Sequence, residues 1–257
     1  MPDTPPSPAE GLPPPCERLP EKMPHSALRI PHSELLPLCE RLSLLDDPTP
    51  RPAAINMALD EALLLAAEGP VLRLYRWSEP AVSFGYFGSL AETRALFPGR
   101  PLVRRWTGGG IVDHAADWTY SLILPASAPA ARLTTAESYR LIHGALAAAL
   151  QDAGLPARLA EEPASRAGGP CFQRPVVSDV MLDGQKIAGA AQRRTRHGLL
   201  HEGSVQGIVL PREFGTQLAA RLSDKRQPAA LSDAILSRAE ALTAEKYGTP
   251  AWLHRCG

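Results

Sequence analysis

Asp183-Gly184 lies between two stretches with the composition of strands, residues 176–182 and 186–192. An Asp-Gly pair favours the left-handed backbone of a two-residue hairpin turn, so these stretches are expected to pair antiparallel. That hairpin excludes an all-parallel sheet. The turn Arg196-His197-Gly198 then leads into a further strand, 199–205. Upstream, Ile55, Leu59, Ala62-Leu63 and Ala66 recur at helical spacing and stop at Gly69-Pro70. Residues 71–77 alternate as a half-buried strand does, and 82–86, 102–105 and 118–124 read as shorter strands. Thr134 and Glu137 form a capping-box pattern ahead of Tyr139, Ile142, Leu146 and Leu150, with Gly154 as the stop. Two helices, 211–222 and about 228–246, are expected near the end. Strands interleaved with helices and joined by hairpins predict an α/β chain of the α+β type, a mixed β-sheet flanked by helices.

Residues 1–52 hold about half of the 27 prolines. Pro5-Pro6, Pro13-Pro14-Pro15 and Pro48-Thr49-Pro50 are barred from helix interiors, because proline lacks the N–H and clashes with the preceding turn. Residues 1–24 read as a disordered or polyproline-like tail. Residues 26–45 carry Leu35-Leu36, Leu42 and Leu44-Leu45 and read as an arm packing on the main domain. The expected division is a proline-rich, partly disordered extension, 1–52, and one folded domain, 53–257.

Lysine plus arginine and aspartate plus glutamate both number 27, so the net charge is zero. Nucleic-acid binding needs a basic surplus to displace counterions and is not expected. No run approaches the roughly 18–20 apolar residues of a membrane span, and no apolar signal core opens the chain. Cys16, Cys39, Cys171 and Cys256 have no paired spacing, as free thiols of a reducing compartment would. The expected location is cytoplasmic.

Candidate chemistry centres on Arg104-Arg105-Trp106-Thr107-Gly108-Gly109-Gly110-Ile111-Val112-Asp113-His114. Three glycines entering a strand let backbone N–H groups approach a ligand, although a plain hinge has the same composition. Lys186 precedes Ala188-Gly189-Ala190-Ala191, residues so small that something else must approach them closely. It is either a solvent-facing strand lysine or a cation that holds a carbonyl, carboxylate or phosphate. Cys171 lies in the loop Gly168-Gly169-Pro170-Cys171-Phe172 and is a nucleophile candidate beside the ordinary reading of a buried thiol. A cation near it would lower the thiol pKa. His114 and His201 are candidate polar contacts, with a satisfied structural histidine as the alternative for each. No cluster has zinc spacing, so no metal site is expected. The residues by themselves specify an α/β enzyme binding a small molecule or acyl group.

The arginine–glycine stretch, with Trp118-Thr119-Tyr120-Ser121-Leu122 after it, resembles the signature loop of the lipoate–protein ligase A and octanoyltransferase family. Asp183-Gly184-Gln185-Lys186-Ile187-Ala188-Gly189-Ala190-Ala191-Gln192 is similar to that family's lysine motif, and His201-Glu202-Gly203-Ser204 to its trailing His-Gly-Ser/Thr element. Asn56-Met57-Ala58-Leu59-Asp60-Glu61 and the segment from Trp77 to Gly85 match its opening helix and second strand. The resemblance implies the biotin/lipoate protein ligase catalytic-domain fold. It implies that Arg105, Thr107, Gly108, Gly109 and Gly110 line an acyl channel and that Lys186 contacts the acyl carbonyl. His114, Gly189 and His201 would be further substrate contacts.

Two chemistries occur in that family. Transferases take octanoate from acyl carrier protein through a cysteine thioester and need no cofactor. Ligases activate lipoate with ATP and Mg²⁺. Cys171-Phe172, fifteen residues before Lys186, resembles the Cys-Phe loop of one octanoyltransferase branch, which makes Cys171 the nucleophile and Lys186 its partner. Gly110 stands where that branch usually has arginine, and residues 173–178 lack its aromatic pair, which keeps the ligase as the alternative. Either reaction ends on a lysine of a lipoyl carrier domain, from 2-oxoacid dehydrogenases or the glycine cleavage H protein. Neither nucleic acid nor membrane is an implied partner.

Overall fold

In the computed structural model, which describes residues 37–163 and 175–255, the Asp183-Gly184 hairpin forms as expected. It joins β8 (Val180–Leu182) to β9 (Gln185–Thr195), with Asp183 at φ 48° and Gly184 at φ 78°. Both turn residues are left-handed, the conformation that gives an Asp-Gly hairpin the twist of its strands. Next, β10 (Gly198–Gln206) runs antiparallel to β9, β6 (Asp117–Pro125) to β10, and β2 (Val71–Tyr75) to β6. The sheet closes with two parallel pairs: β1 (Arg41–Asp46) on β2, and β11 (Lys225–Pro228) on β1. With β7 (Arg158–Leu159) on the far edge, the order is β11-β1-β2-β6-β10-β9-β8-β7. A second sheet has β3 (Val82–Phe84) between β4 (Leu102–Arg104) and β5 (Ile111–Asp113). The large sheet is mixed, as its hairpins required.

Two departures from the sequence reading concern the ends of this sheet. Within the segment read as an extension, residues 37–52 are described, and 41–46, read within an arm packing on the main domain, form an interior strand of its large sheet. Residues 225–228, Lys-Arg-Gln-Pro, make a strand with every side chain exposed. No apolar alternation marks it, because only its backbone is used, in parallel pairing with β1.

Helices cover both faces. On one side α3 (Thr135–Asp152) and α4 (Phe214–Leu222) bury Ile142, Leu146, Leu150, Phe214 and Leu218 against Leu72, Tyr120, Leu122 and Leu199 of the sheet. The capping box at Thr134 is present: the Glu137 amide donates to Thr134 Oγ1 at 3.2 Å, and the Thr134 amide to Glu137 Oε2 at 2.8 Å. On the other side lie α1 (Ala53–Ala66), α5 (Asp233–Leu242) with a π-turn after it (Thr243–Tyr247), and the small sheet. Two short helices, α2 (Leu90–Leu96) and α6 (Pro250–Leu253), flank the small sheet. Among the described residues, no helix is long and apolar enough to cross a membrane.

The α1 side is unusually polar for a core. Arg73 is fully buried and donates to Asp60 Oδ1 at 2.8 Å and to Asn56 Oδ1 at 2.7 Å. Asp60 also accepts from Ser121 Oγ at 2.5 Å. Buried ions persist only where paired and hydrogen-bonded in this way. This layer floors a cleft.

Candidate active site

A one-residue irregularity puts Lys186 in that cleft. Lys186 is paired with Met181, but Ala188 with Val180, which leaves Ile187 as an extra residue on β9. Side chains alternate between sheet faces, so the extra residue moves Lys186 to the same face as Gly189 and Ala191. Ile187 and Ala188 turn instead into the α3-side core. The lysine stem lies across Gly189, where a Cβ would come within 2.6 Å of Lys186 Cε. Its Nζ is 2.8 Å from Asp179 Oδ2. The Asp179 carboxylate is fully buried and accepts from Tyr139 Oη at 2.6 Å and from the Val176 amide at 2.7 Å. Tyr139 in turn accepts from the Ala190 amide at 3.0 Å, so α3 fixes the lysine strand directly. Burial and the Asp179 charge push the Tyr139 hydroxyl well above the usual range, and it stays a donor.

The glycine loop forms the opposite wall. Arg105 reaches inside it and donates to the carbonyls of Gly108 at 3.0 Å and Gly110 at 2.8 Å. Gly109 takes φ 83°, and the loop folds down on Gly85, where a Cβ would sit 2.0 Å from the Gly109 oxygen. The loop thus closes only over glycine. Arg104 points elsewhere: it donates to Tyr86, Gly88 and Leu253 carbonyls and fastens the last helix. Between the walls is a cavity of about 550 Å³, its open mouth included, lined by Lys186, Gly189, Ala191, Arg105, Gly109 and Gly110 together with Met57, Tyr75, Trp77 and Ile111. Two cations, Lys186 and Arg105, in a slot otherwise lined mostly by apolar and small residues suit a chain with a carbonyl head.

Of the residues singled out from the sequence, Arg105, Gly109, Gly110, His114, Lys186 and Gly189 line this cavity. Thr107 is fully buried with its hydroxyl on Glu202, and Gly108 packs on Gly85. Cys171 lies outside the described residues. His201 is placed away from the others. On β10 alternate residues face alternate sides, and His201 points under α3, between Tyr120 (Oη to Nε2, 3.3 Å) and Gln192 (Nε2 to Nδ1, 3.1 Å). Burial holds its pKa well below the ordinary value, so it is a neutral structural histidine. Its neighbour Glu202 takes the cleft position.

Glu202, Asp179, Tyr139, Ser83 and Asp117 were not singled out from the sequence; Glu202, Tyr139 and Ser83 join the cleft through partners distant in the chain, and Asp117 and Asp179 are brought in by the local turns and strands that orient them. Glu202 accepts from Thr107 Oγ1 and so ties the glycine loop to β10. Burial foremost, then the Asp60 carboxylate, pushes its pKa up to about 8. Unfolded, the group titrates near 4.5, so the folded protein retains a proton that the unfolded chain releases. Its stabilising contribution is whole below that value and is lost as pH rises through about 8. Glu202→Gln is therefore expected to flatten the fall of melting temperature from about pH 5 to about pH 9. Calorimetric scans of both proteins check this, and parallel curves would refute it.

The family model described as the lipoyl protein ligase A/B catalytic domain matches residues 52–233. The chain is 39% identical over 168 residues to an octanoyltransferase LipM of Kyrpidia tusciae, covering 60% of this chain and 61% of that protein. It is 36% identical over 166 residues to the octanoyltransferase LipM of Staphylococcus aureus, covering 58% and 60%. The chain thus spans about three fifths of these relatives' length. A putative lipoate protein ligase from T. acidophilum superposes with a TM-score of 0.67 at 24% identity, over 84% of this chain and 98% of that one. A lipoate-protein ligase A bound with ATP gives 0.65 at 22%, over 85% and 99%. The fold is that of the lipoate-protein ligase catalytic domain.

Proposed function

The chain belongs to the lipoyl protein ligase A/B catalytic-domain family, and from that premise we propose that it is an octanoyltransferase of protein lipoylation, working through a thioester on Cys171. The observation that carries the reading is the Asp179 carboxylate. It holds Lys186 in the acyl cleft and also accepts from the amide of Val176, five residues along the chain from Cys171.

The Cys171 thiolate attacks the carbonyl of octanoyl–acyl carrier protein, and the carrier's thiol leaves with a proton. The ε-amine of a lysine on a lipoyl carrier domain then attacks the enzyme thioester, which forms the amide and returns the thiolate. Lys186 stabilises the thiolate and orients the carbonyl; Arg105 and the segment from Thr107 to Gly110 hold the channel; Gly189 gives the lysine stem its room, and His114 lines the wall. The acceptors are lipoyl domains of 2-oxoacid dehydrogenases or the glycine cleavage H protein. Transfer uses no ATP and takes place in the cytoplasm.

Support comes from the curated octanoyltransferases at 36–39% identity. The test is intact-protein mass spectrometry after mixing with octanoyl–acyl carrier protein in the absence of ATP. A hydroxylamine-labile octanoyl adduct is expected. An unmodified enzyme that loads the acceptor domain only with lipoate, ATP and Mg²⁺ would make it a ligase instead.

A further inference from the structure

The cleft holds a second chemical arrangement that the thioester route does not use. Ser83 Oγ, on β3, is 2.6 Å from His114 Nε2, and His114 Nδ1 is 2.7 Å from Asp117 Oδ2. Ser83 and His114 both line the cavity, and all three side chains are buried. The direction of the His114–Asp117 hydrogen bond is fixed by what each group can do. A carboxylate only accepts, so His114 carries its proton on Nδ1 and offers Nε2 as a base. Arg105 Nη1 donates to Ser83 Oγ at 2.6 Å, which leaves the serine's own proton available to the unprotonated His114 Nε2. Thr119 (3.0 Å) and Ser204 (2.7 Å) hydroxyls also donate to Asp117 Oδ2 and anchor it. The Trp77 ring stacks on the imidazole at 3.9 Å and fixes its plane.

A nucleophile bonded to a base, and the base oriented by a buried carboxylate, is the geometry by which serine acyl transfer is recognised on unrelated folds. Arg105 adds a cation that favours the serine alkoxide. Among the described residues, no backbone hydrogen bond is donated by the amides of Gly108, Gly109 or Gly110, which lie along the adjoining wall.

We propose that Ser83, His114 and Asp117 form a serine-based acyl-transfer centre that hydrolyses medium-chain acyl esters and thioesters. Ser83 Oγ adds to the acyl carbonyl while its proton passes to His114 Nε2. The alcohol or thiol leaves with that proton, giving an ester on Ser83. Water, deprotonated by His114, then cleaves the ester and releases the fatty acid.

The experiment treats the full chain with an alkyl fluorophosphonate and maps the adduct by peptide mass spectrometry. One adduct on Ser83 is expected, in the wild-type and Cys171→Ala proteins alike. In the Cys171→Ala background, adding Ser83→Ala is expected to slow hydrolysis of p-nitrophenyl octanoate at least about 100-fold. No adduct, an adduct elsewhere, or hydrolysis lost with Cys171 and indifferent to Ser83 would overturn the proposal. Labelling is read on the unsubstituted protein, so a misfolded variant cannot conceal the answer. The centre does not depend on the Cys171 reading, and the alanine background keeps the two apart.

Discussion

Replacing Cys171 with alanine is expected to abolish octanoyl transfer from acyl carrier protein, a loss of roughly 10,000-fold or more, since covalent catalysis has no substitute for its nucleophile. Cys39 cannot take over. It is buried, its Sγ donates to the Leu222 carbonyl at 3.5 Å, and burial pushes its pKa up to about 11. A thiol in that state packs and does not react. Transfer of labelled octanoate to an apo lipoyl domain is the measurement, with the thioester adduct followed in parallel. An alanine variant that transfers within about 10-fold of wild type would sink the thioester mechanism.

Lys186→Met is expected to lower kcat by about 100- to 1,000-fold, the range typical for removing one preorganised charge from developing oxyanion chemistry. The same change strands Asp179, a fully buried carboxylate left with the Tyr139 hydroxyl and the Val176 amide. Breaking a buried pair on one side costs about 3–5 kcal/mol, so the single variant is expected to melt earlier as well. Adding Asp179→Asn removes the stranded charge. The double variant should recover much of the lost stability and none of the activity. Recovery of transfer along with melting temperature would mean that the lysine serves only the fold.

Much of the fold was legible because it rests on local signals. The hairpin at Asp183-Gly184, the capping box at Thr134 and the helical spacing from Ile55 each fix a nearby piece of backbone. What escaped was non-local. The strand at 225–228 is made by its partner, and its own side chains say nothing about it. The site divided along the same line. The glycine loop and Lys186 were visible as motifs, yet nothing in the spacing of Ser83, His114 and Asp117 announces that they meet. His201, read as either a contact or a structural histidine, faces away from the cleft for a geometric reason: one step along a strand reverses the face, and the cleft took Glu202.

The sandwiching of β1 between β2 and β11 has a consequence for the order in which the molecule is made. Arg41 emerges from the ribosome well before Lys225, its partner in the sheet, because the two strands lie far apart in the sequence. Until then the nascent sheet carries an open edge at β1, the kind of template that invites pairing with other chains. Contacts spanning so much of the chain also form slowly. The interval between those two strands is when a growing chain has most need of a chaperone.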